Sequence, residues 1–134
     1  MIQAAKPIVL LVEDEPFVAM VACQILEDEG YRVSVAGTAS SALALIREDD
    51  CEAAAALVDL GLPDMCGDVL IVQLRQINPH LPVVITSGYG AEELRARFAG
   101  LSDIAIIVKP YDSNSLLGAL RDLGVARPEP LLEH

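Results

Sequence analysis

Residues 8–14 read Ile8-Val9-Leu10-Leu11-Val12-Glu13-Asp14, an apolar run of five residues that ends at two carboxylates. Three further runs have the same form: residues 54–58 stop at Asp59, residues 83–86 at Ser87 and residues 104–108 at Lys109. Continuous apolar runs of about five residues are typical of strands in a parallel sheet that is covered on both faces. The sequence therefore predicts strands that each end at a chemically reactive side chain.

Helical patterns separate these runs, and an alternating segment at 32–36 adds a further strand near an edge of the sheet. Helices are expected from Pro16 to a left-handed cap at Gly30, over 39–47 behind Thr38 or Ser40, over 68–77, over 91–99, and from Asp112 or Ser113 to Leu123. Five βα units with right-handed crossovers predict an α/β fold, a three-layer doubly wound parallel sheet. We expect the flavodoxin-like order 2-1-3-4-5, in which ligands bind beyond the strand ends at the switch point between strands one and three.

The 134 residues suffice for one domain, which we place at residues 6–124. Residues 125–134 are expected to form a flexible tail, and its end, Leu132-Glu133-His134, looks like the remnant of a purification tag. The mean hydropathy of +0.44 makes disorder implausible. No run approaches the roughly 18 apolar residues of a membrane span, and the N-terminal run is too short for a secretory signal. We therefore expect a cytoplasmic protein without membrane contact.

The net charge of −11 argues against direct binding to nucleic acid, which requires a basic face. The three cysteines have no metal-binding spacing, and their odd number disfavours a disulfide framework. Cys23 and Cys51 are expected to be buried as small apolar side chains, whereas Cys66 falls in the loop after Asp59, where it could be exposed.

The carboxylates after strands one and three demand a partner of positive charge. Two negative charges about 4 Å apart repel each other by roughly 4 kcal/mol at an effective dielectric of 20. Mg²⁺ suits such a site because it prefers oxygen ligands, and Lys109 and Ser87 add an ammonium and a hydroxyl. Together these groups suit phosphoryl transfer, with Asp59 on the central strand as the nucleophile that forms an acyl phosphate. Asp64 is expected to be a turn residue and Asp68 a helix cap.

Four motifs in this order resemble the receiver domain of bacterial two-component response regulators. They are Val12-Glu13-Asp14-Glu15-Pro16, residues 59–67 from Asp59 to Gly67, residues 82–88 from Pro82 to Gly88, and Val108-Lys109-Pro110-Tyr111. The resemblance extends from Lys6 to Leu123 and is close to the stand-alone, chemotaxis-regulator-like members of that family.

The resemblance implies a role for each site residue. Asp59 would accept a phosphoryl group from a phosphohistidine on a sensor histidine kinase or a phosphotransfer protein. Asp14, Asp59 and the backbone carbonyl of Gly61 would hold Mg²⁺, and Glu13 would act through water. Ser87 matches the switch residue of the family, Lys109 would pair with the phosphoryl group, and the Lys109–Pro110 peptide would be cis.

Two departures from the family pattern concern switching. The family has Tyr or Phe three residues before the lysine, where this chain has Ile106. The segment Ser87-Gly88-Tyr89-Gly90 is a glycine-rich variant whose loop is free to adopt unusual backbone angles. Our hypothesis is that Tyr89 covers the phosphoryl site and slows attack by water; a Tyr89→Ala variant that loses phosphate at the parental rate would contradict it.

Too few residues follow the last helix for an output domain, so we expect signalling by protein binding or by phosphorelay. Phe17, Val18 and Met20 are candidates for docking a kinase helix, and Arg95, Arg97 and Arg121 mark a face for a target or a second copy. The kinase, the downstream target and the formation of a homodimer stay open.

Three alternative functions are less consistent with these residues. A binding module that keeps the fold without phosphorylation would not need the charged cluster. A phosphatase of the haloacid dehalogenase type needs an aspartate two residues after its nucleophile, where this chain has Gly61. Flavin binding lacks a hydroxyl-rich loop after strand one, and the chain has no Trp to stack on the ring.

Overall fold

Five strands and five helices alternate along the chain in the computed structural model, which describes residues 7–47, 53–88, 91–125 and 128. The strands are β1 Ile8–Val12, β2 Arg32–Ala36, β3 Ala53–Asp59, β4 Val83–Ser87 and β5 Ile104–Val108. The helices are α1 Pro16–Glu29, α2 Ala39–Arg47, α3 Gly67–Ile77, α4 Ala91–Arg97 and α5 Ser113–Asp122. Each predicted element is present, and α4 is two residues shorter than expected because a turn replaces its last residues.

The strands form one parallel sheet in the order β2-β1-β3-β4-β5, which confirms the predicted fold class. Val12 is paired with Val58, Asp59 with Thr86, and Ser87 with Val108. The carboxyl ends of four strands are therefore aligned at one edge of the sheet.

Apolar side chains on both faces of the sheet form two core clusters. Leu10 and Val12 pack with residues of α2, α3 and α4, whereas Val9 and Leu11 pack with residues of α1 and α5. The neighbouring strands β1 and β3 are apolar without alternation because helices cover both of their faces. Helices on both faces complete the predicted three layers.

The helix ends show which capping predictions hold. Gly30 ends α1 in the left-handed conformation (φ 107°), as predicted, and Asp112 forms a capping box with Ser115 at the start of α5. Thr38, rather than Ser40, caps α2 through the amide of Ser41. The prediction that Asp68 caps α3 is wrong, because Cys66 occupies the N-cap position.

Among the cysteines, Cys23 is only half-buried, which corrects the expectation that it lies in the core, and Cys66 is exposed. Cys51 lies outside the described residues. In the predicted tail, Val125 packs against the α1/α5 core cluster, and Pro128 lies so close to Gly30 that a Cβ there would approach it to 3.0 Å. No helix within the described ranges has the length and apolar character needed to cross a bilayer.

Candidate functional site

Three carboxylates from two strand ends meet at the edge of the sheet. Glu13 and Asp14 follow β1, and Asp59 is the last residue of the neighbouring β3. One carboxylate oxygen of each residue lies within 4.8 Å of the other two. The topology thus brings together acidic groups that are 45 residues apart in the chain.

Lys109 reaches this acidic cluster from the far edge strand. Its Nζ lies 3.0 Å from Oε1 of Glu13 and 3.2 Å from Oδ2 of Asp59. The Lys109 backbone amide donates a hydrogen bond of 2.8 Å to the carbonyl of Ser87, and the Lys109–Pro110 peptide is cis. One ammonium group therefore serves two carboxylates, as the order of the strands predicts.

The cluster is buried on one side and open on the other. Glu13 is 4 % exposed and Asp59 is 6 % exposed, whereas Asp14 is exposed at the rim. A cation from solvent can therefore reach the carboxylates past Asp14. The donors are all oxygen atoms, which is the ligand set that suits Mg²⁺.

Burial and charge oppose each other at Glu13 and Lys109. Burial raises the pKa of Glu13, although the hydrogen bonds from Lys109 and from the Glu15 amide (3.1 Å) act in the opposite direction. Burial alone disfavours the ammonium of Lys109, but its hydrogen bond to Glu13 and the charge of Asp59 raise its pKa above the ordinary value. Lys109 is therefore a permanent cation at neutral pH.

The loop after β3 is built around the Asp59 carboxylate. The amide of Gly61 donates to Oδ1 of Asp59 at 3.2 Å, and the amide of Leu60 donates to the carbonyl of Thr86 at 3.1 Å. Gly67, the first residue of α3, lies against Leu60. These contacts fix the backbone that follows Asp59.

Asp64 in the same loop has a role that the sequence did not reveal. Its carboxylate accepts hydrogen bonds from the amides of Ala39 (2.9 Å) and Ser40 (3.1 Å) and from the Ser40 hydroxyl (3.0 Å). These hydrogen bonds lower the pKa of Asp64. The expectation of a simple turn residue is corrected: Asp64 caps α2 from another loop, and no local sequence pattern signals a contact of that separation.

The two hydroxyl residues at the end of β4 are both buried, Thr86 at 2 % and Ser87 at 3 % exposure. Ser87 is the last residue of the strand, next to Lys109 through the backbone hydrogen bond. Ile106, at the position where the family has an aromatic residue, packs half-buried against the core cluster on the α2/α3/α4 side. Tyr89 and Gly90 lie outside the described residues, so the hypothesis that Tyr89 covers the site stays a prediction.

Tyr111 is a residue near the site to which the sequence assigned no role. Its ring packs against the α1/α5 core cluster, and its hydroxyl oxygen is buried without a hydrogen-bond partner in the described part of the chain. Burial, reinforced by the charge of Glu13, raises the pKa of Tyr111 to about 12. The motif Lys109-Pro110-Tyr111 marks Tyr111 as a candidate site residue. The sequence cannot predict, however, that its hydroxyl is buried without a hydrogen-bond partner.

The surface residues singled out in the sequence divide into two groups. On α1, Phe17 is 72 % exposed and Met20 is 60 % exposed, while Val18 is half-buried. Arg95 and Arg121 are exposed, but Arg97 forms an ion pair of 2.6 Å with Asp68 and thereby links α4 to α3. The α1 residues are thus available for contact with a partner.

Comparison with known proteins agrees with this geometry. Residues 9–121 match the family model of the response regulator receiver domain. The chain is 35 % identical over 117 residues to the probable transcriptional regulatory protein TcrX of Mycobacterium tuberculosis, covering 86 % of this chain and 48 % of that protein. It is 33 % identical over 127 residues to the photosynthetic apparatus regulatory protein RegA of Rhodovulum sulfidophilum, covering 92 % and 67 % of the two chains.

A solved structure shows the same fold. The crystal structure of a CheY-like response regulator receiver domain protein from Methanospirillum hungatei JF-1 has a TM-score of 0.76 and 31 % identity, with 90 % of this chain and 95 % of that chain covered. The match to this chain spans about half (48 %) of the length of the TcrX protein.

Proposed function

The chain belongs to the response regulator receiver domain family, and from that premise we propose that it is a phosphoacceptor signalling protein whose acceptor is Asp59. The observation that carries this proposal is the place of the Asp59 carboxylate. It contacts the Lys109 ammonium at 3.2 Å, and one of its oxygens lies within 4.8 Å of carboxylate oxygens of Glu13 and Asp14. A nucleophile that lies beside both a cationic side chain and a cluster of oxygen ligands for a metal ion is the arrangement that phosphoryl transfer needs.

The donor set fits Mg²⁺, and we assign its ligands by the chemistry of the residues present. Asp14, Asp59 and the Gly61 carbonyl would hold the ion directly, with Glu13 acting through water. Cluster oxygens within 4.8 Å of one another and an exposed Asp14 support this assignment. When bound, Mg²⁺ would neutralise charge on the carboxylates and on the phosphoryl oxygens.

The chemical step follows from the groups around Asp59. A carboxylate oxygen of Asp59 attacks the phosphorus of a phosphohistidine, the P–N bond breaks, and its electron pair returns to the imidazole, which takes up a proton from solvent. The product is an acyl phosphate on Asp59. Lys109 turns from the carboxylates to the phosphoryl oxygens, and the Ser87 hydroxyl donates a hydrogen bond to the same group.

The proposed donor is a sensor histidine kinase or a phosphotransfer protein. Phe17 and Met20, exposed on α1 just beyond the acidic pair, suit contact with a helix that presents the phosphohistidine. In this proposal the chain acts in the cytoplasm as a signalling domain, not as an enzyme with an external substrate. Its output is phosphorylation-dependent protein binding or phosphorelay.

The test is incubation with acetyl phosphate and Mg²⁺ followed by intact mass measurement. The wild type and an Asp68→Asn control should gain one phosphoryl group, whereas Asp59→Asn should gain none. Asp68 is a matched control because it is an aspartate bound to Arg97 and outside the acidic cluster. An adduct on none of the three proteins would favour the phosphorylation-independent binding module, and an adduct on Asp59→Asn would assign the acceptor to another residue.

A further inference from the structure

The Tyr111 hydroxyl is a buried polar group that the proposed phosphoryl transfer does not use. Its oxygen has no hydrogen-bond partner in the described residues, although the partly buried tyrosine side chain packs against the α1/α5 core cluster. An unpaired hydroxyl in the interior costs free energy, and phenylalanine would fill the same space without that cost. Packing alone therefore does not explain why this position carries a tyrosine and not a phenylalanine.

The charges that act on this hydroxyl belong to the phosphoacceptor site. The carboxylates of Glu13 and Asp59 disfavour its ionisation and Lys109 favours it, with Glu13 having the largest influence of the three. Because its pKa is raised to about 12, Tyr111 keeps its proton at neutral pH. It is therefore a neutral donor, and it stands two residues after Lys109, whose Nζ contacts both carboxylates.

The buried carboxylate of Glu13 is paired with the ammonium of Lys109 in the structure. Its Oε1 pairs with Nζ of Lys109 at 3.0 Å, and its Oε2 accepts from the Glu15 amide at 3.1 Å. The side chain of Glu13 is only 2 % exposed, so bulk solvent does not readily replace a lost hydrogen-bond partner. If Lys109 turns to a phosphoryl group on Asp59, Oε1 of Glu13 loses its direct ammonium partner, because the proposed magnesium ion reaches Glu13 only through water.

We propose that Tyr111 is a positioning residue that replaces Lys109 as the hydrogen-bond donor to Glu13 when Asp59 carries a phosphoryl group. This inference rests on the proposed function. It gives the unpaired hydroxyl a partner in the phosphorylated state and frees Lys109 for the phosphoryl oxygens. Tyr111 then stabilises the phosphorylated state relative to the ligand-free state.

The experiment compares thermal denaturation of the full chain in EDTA with that in Mg²⁺ and beryllium fluoride, a tetrahedral analogue of the phosphoryl group. In EDTA, the Tyr111→Phe variant should be as stable as wild type or more so, because the variant lacks an unpaired buried hydroxyl. With the analogue it should gain less stability than wild type, and its apparent dissociation constant for beryllium fluoride should rise roughly tenfold, as expected for the loss of one hydrogen bond to a charged group.

Tyr31 provides the matched control. It is a buried tyrosine packed in the same core cluster, so Tyr31→Phe should shift the melting temperature equally in the two conditions. The chain contains three tyrosines and no tryptophan, and this makes tyrosine difference absorbance a second readout. The analogue should produce a tyrosine difference band in wild type and in Tyr31→Phe that is weakened in Tyr111→Phe.

The outcomes separate the two proposals. If wild type gains no stability from the analogue and Mg²⁺, the proposed function fails and the role of Tyr111 fails with it. If wild type gains stability and Tyr111→Phe gains the same amount, the phosphoacceptor function stands and the role of Tyr111 is overturned. An equal loss of stability by Tyr111→Phe in both conditions would assign its hydroxyl a purely structural role.

Discussion

A methyl group added at Gly67 tests how closely the acceptor loop is packed. A Cβ at this position would lie 2.5 Å from Cδ2 of Leu60, 3.2 Å from Cα of Leu60 and 3.6 Å from the carbonyl oxygen of Asp59. The leucine side chain can rotate away, but the backbone of Leu60 is held by its hydrogen bond to Thr86. The Gly67→Ala variant must therefore displace the chain next to Asp59.

The expected cost follows from two opposing effects. Overpacking of a close contact costs about 1–3 kcal/mol, and alanine recovers up to about 1 kcal/mol over glycine within a helix, less in its first turn. We expect Gly67→Ala to lower the free energy of unfolding by about 1–2 kcal/mol, which corresponds to a fall of roughly 5 °C in Tm for a domain of this size. Urea denaturation gives the free energy, and labelling by acetyl phosphate should be slower because the Asp59 backbone moves.

Gly37→Ala is the matched control for this variant. Among the described residues nothing lies within 4 Å of a Cβ at position 37, so the free energy of unfolding should equal that of the parent within about 0.5 kcal/mol. The labelling rate should be unchanged. The packing argument is refuted if Gly67→Ala is as stable as the parent, or if Gly37→Ala loses as much as Gly67→Ala.

Two further predictions concern charge. Asp64→Ala should destabilise the protein at neutral pH because two amides at the start of α2 lose the carboxylate that accepts their hydrogen bonds. The hydrogen bonds lower the pKa of Asp64 in the folded state below its ordinary 3.8. The stability that Asp64 contributes is therefore present above pH 3.8 and is lost as the pH falls through the lower folded pKa. Urea denaturation of wild type and Asp64→Ala from neutral to acid pH should show that their difference in free energy of unfolding shrinks in acid. A difference that grows in acid would contradict this prediction. Lys109→Met should cost about 3 kcal/mol in EDTA because Glu13 and Asp59 are left buried without their cation. Mg²⁺ should reduce that loss, and an equal loss with and without Mg²⁺ would argue against a metal at this cluster.

Most of the fold was predictable because the strands are buried on both faces. Residues 54–58 are all apolar, so the sequence shows clearly that this run ends at Asp59. The parallel order then follows from right-handed crossovers between alternating strands and helices. The convergence of Glu13, Asp59 and Lys109 was predictable for the same reason, because each stands at the end of a strand.

The contacts that could not be predicted join loops or helices that are distant in the sequence. Asp68 was expected to cap its own helix, but it pairs with Arg97 on α4, 29 residues away. Its helix begins one residue earlier than the cap pattern indicated, at Gly67. Cys23 was expected in the core because of its apolar chemistry, yet α1 buries Ala19, Ala22 and Leu26 and leaves Cys23 only half-buried. Such details depend on side-chain directions and loop paths that no local pattern encodes.

The cap that Asp64 supplies bears on how α2 comes to exist at all. A helix of nine residues is marginal in isolation, since nucleation is costly and short segments recover few hydrogen bonds. Thr38 satisfies one amide of its first turn from within the segment, but two others depend on a carboxylate 24 and 25 residues downstream. A peptide excised from this region would therefore be largely unstructured in water, and during synthesis α2 gains its full complement of partners only once the ribosome has released the loop after β3.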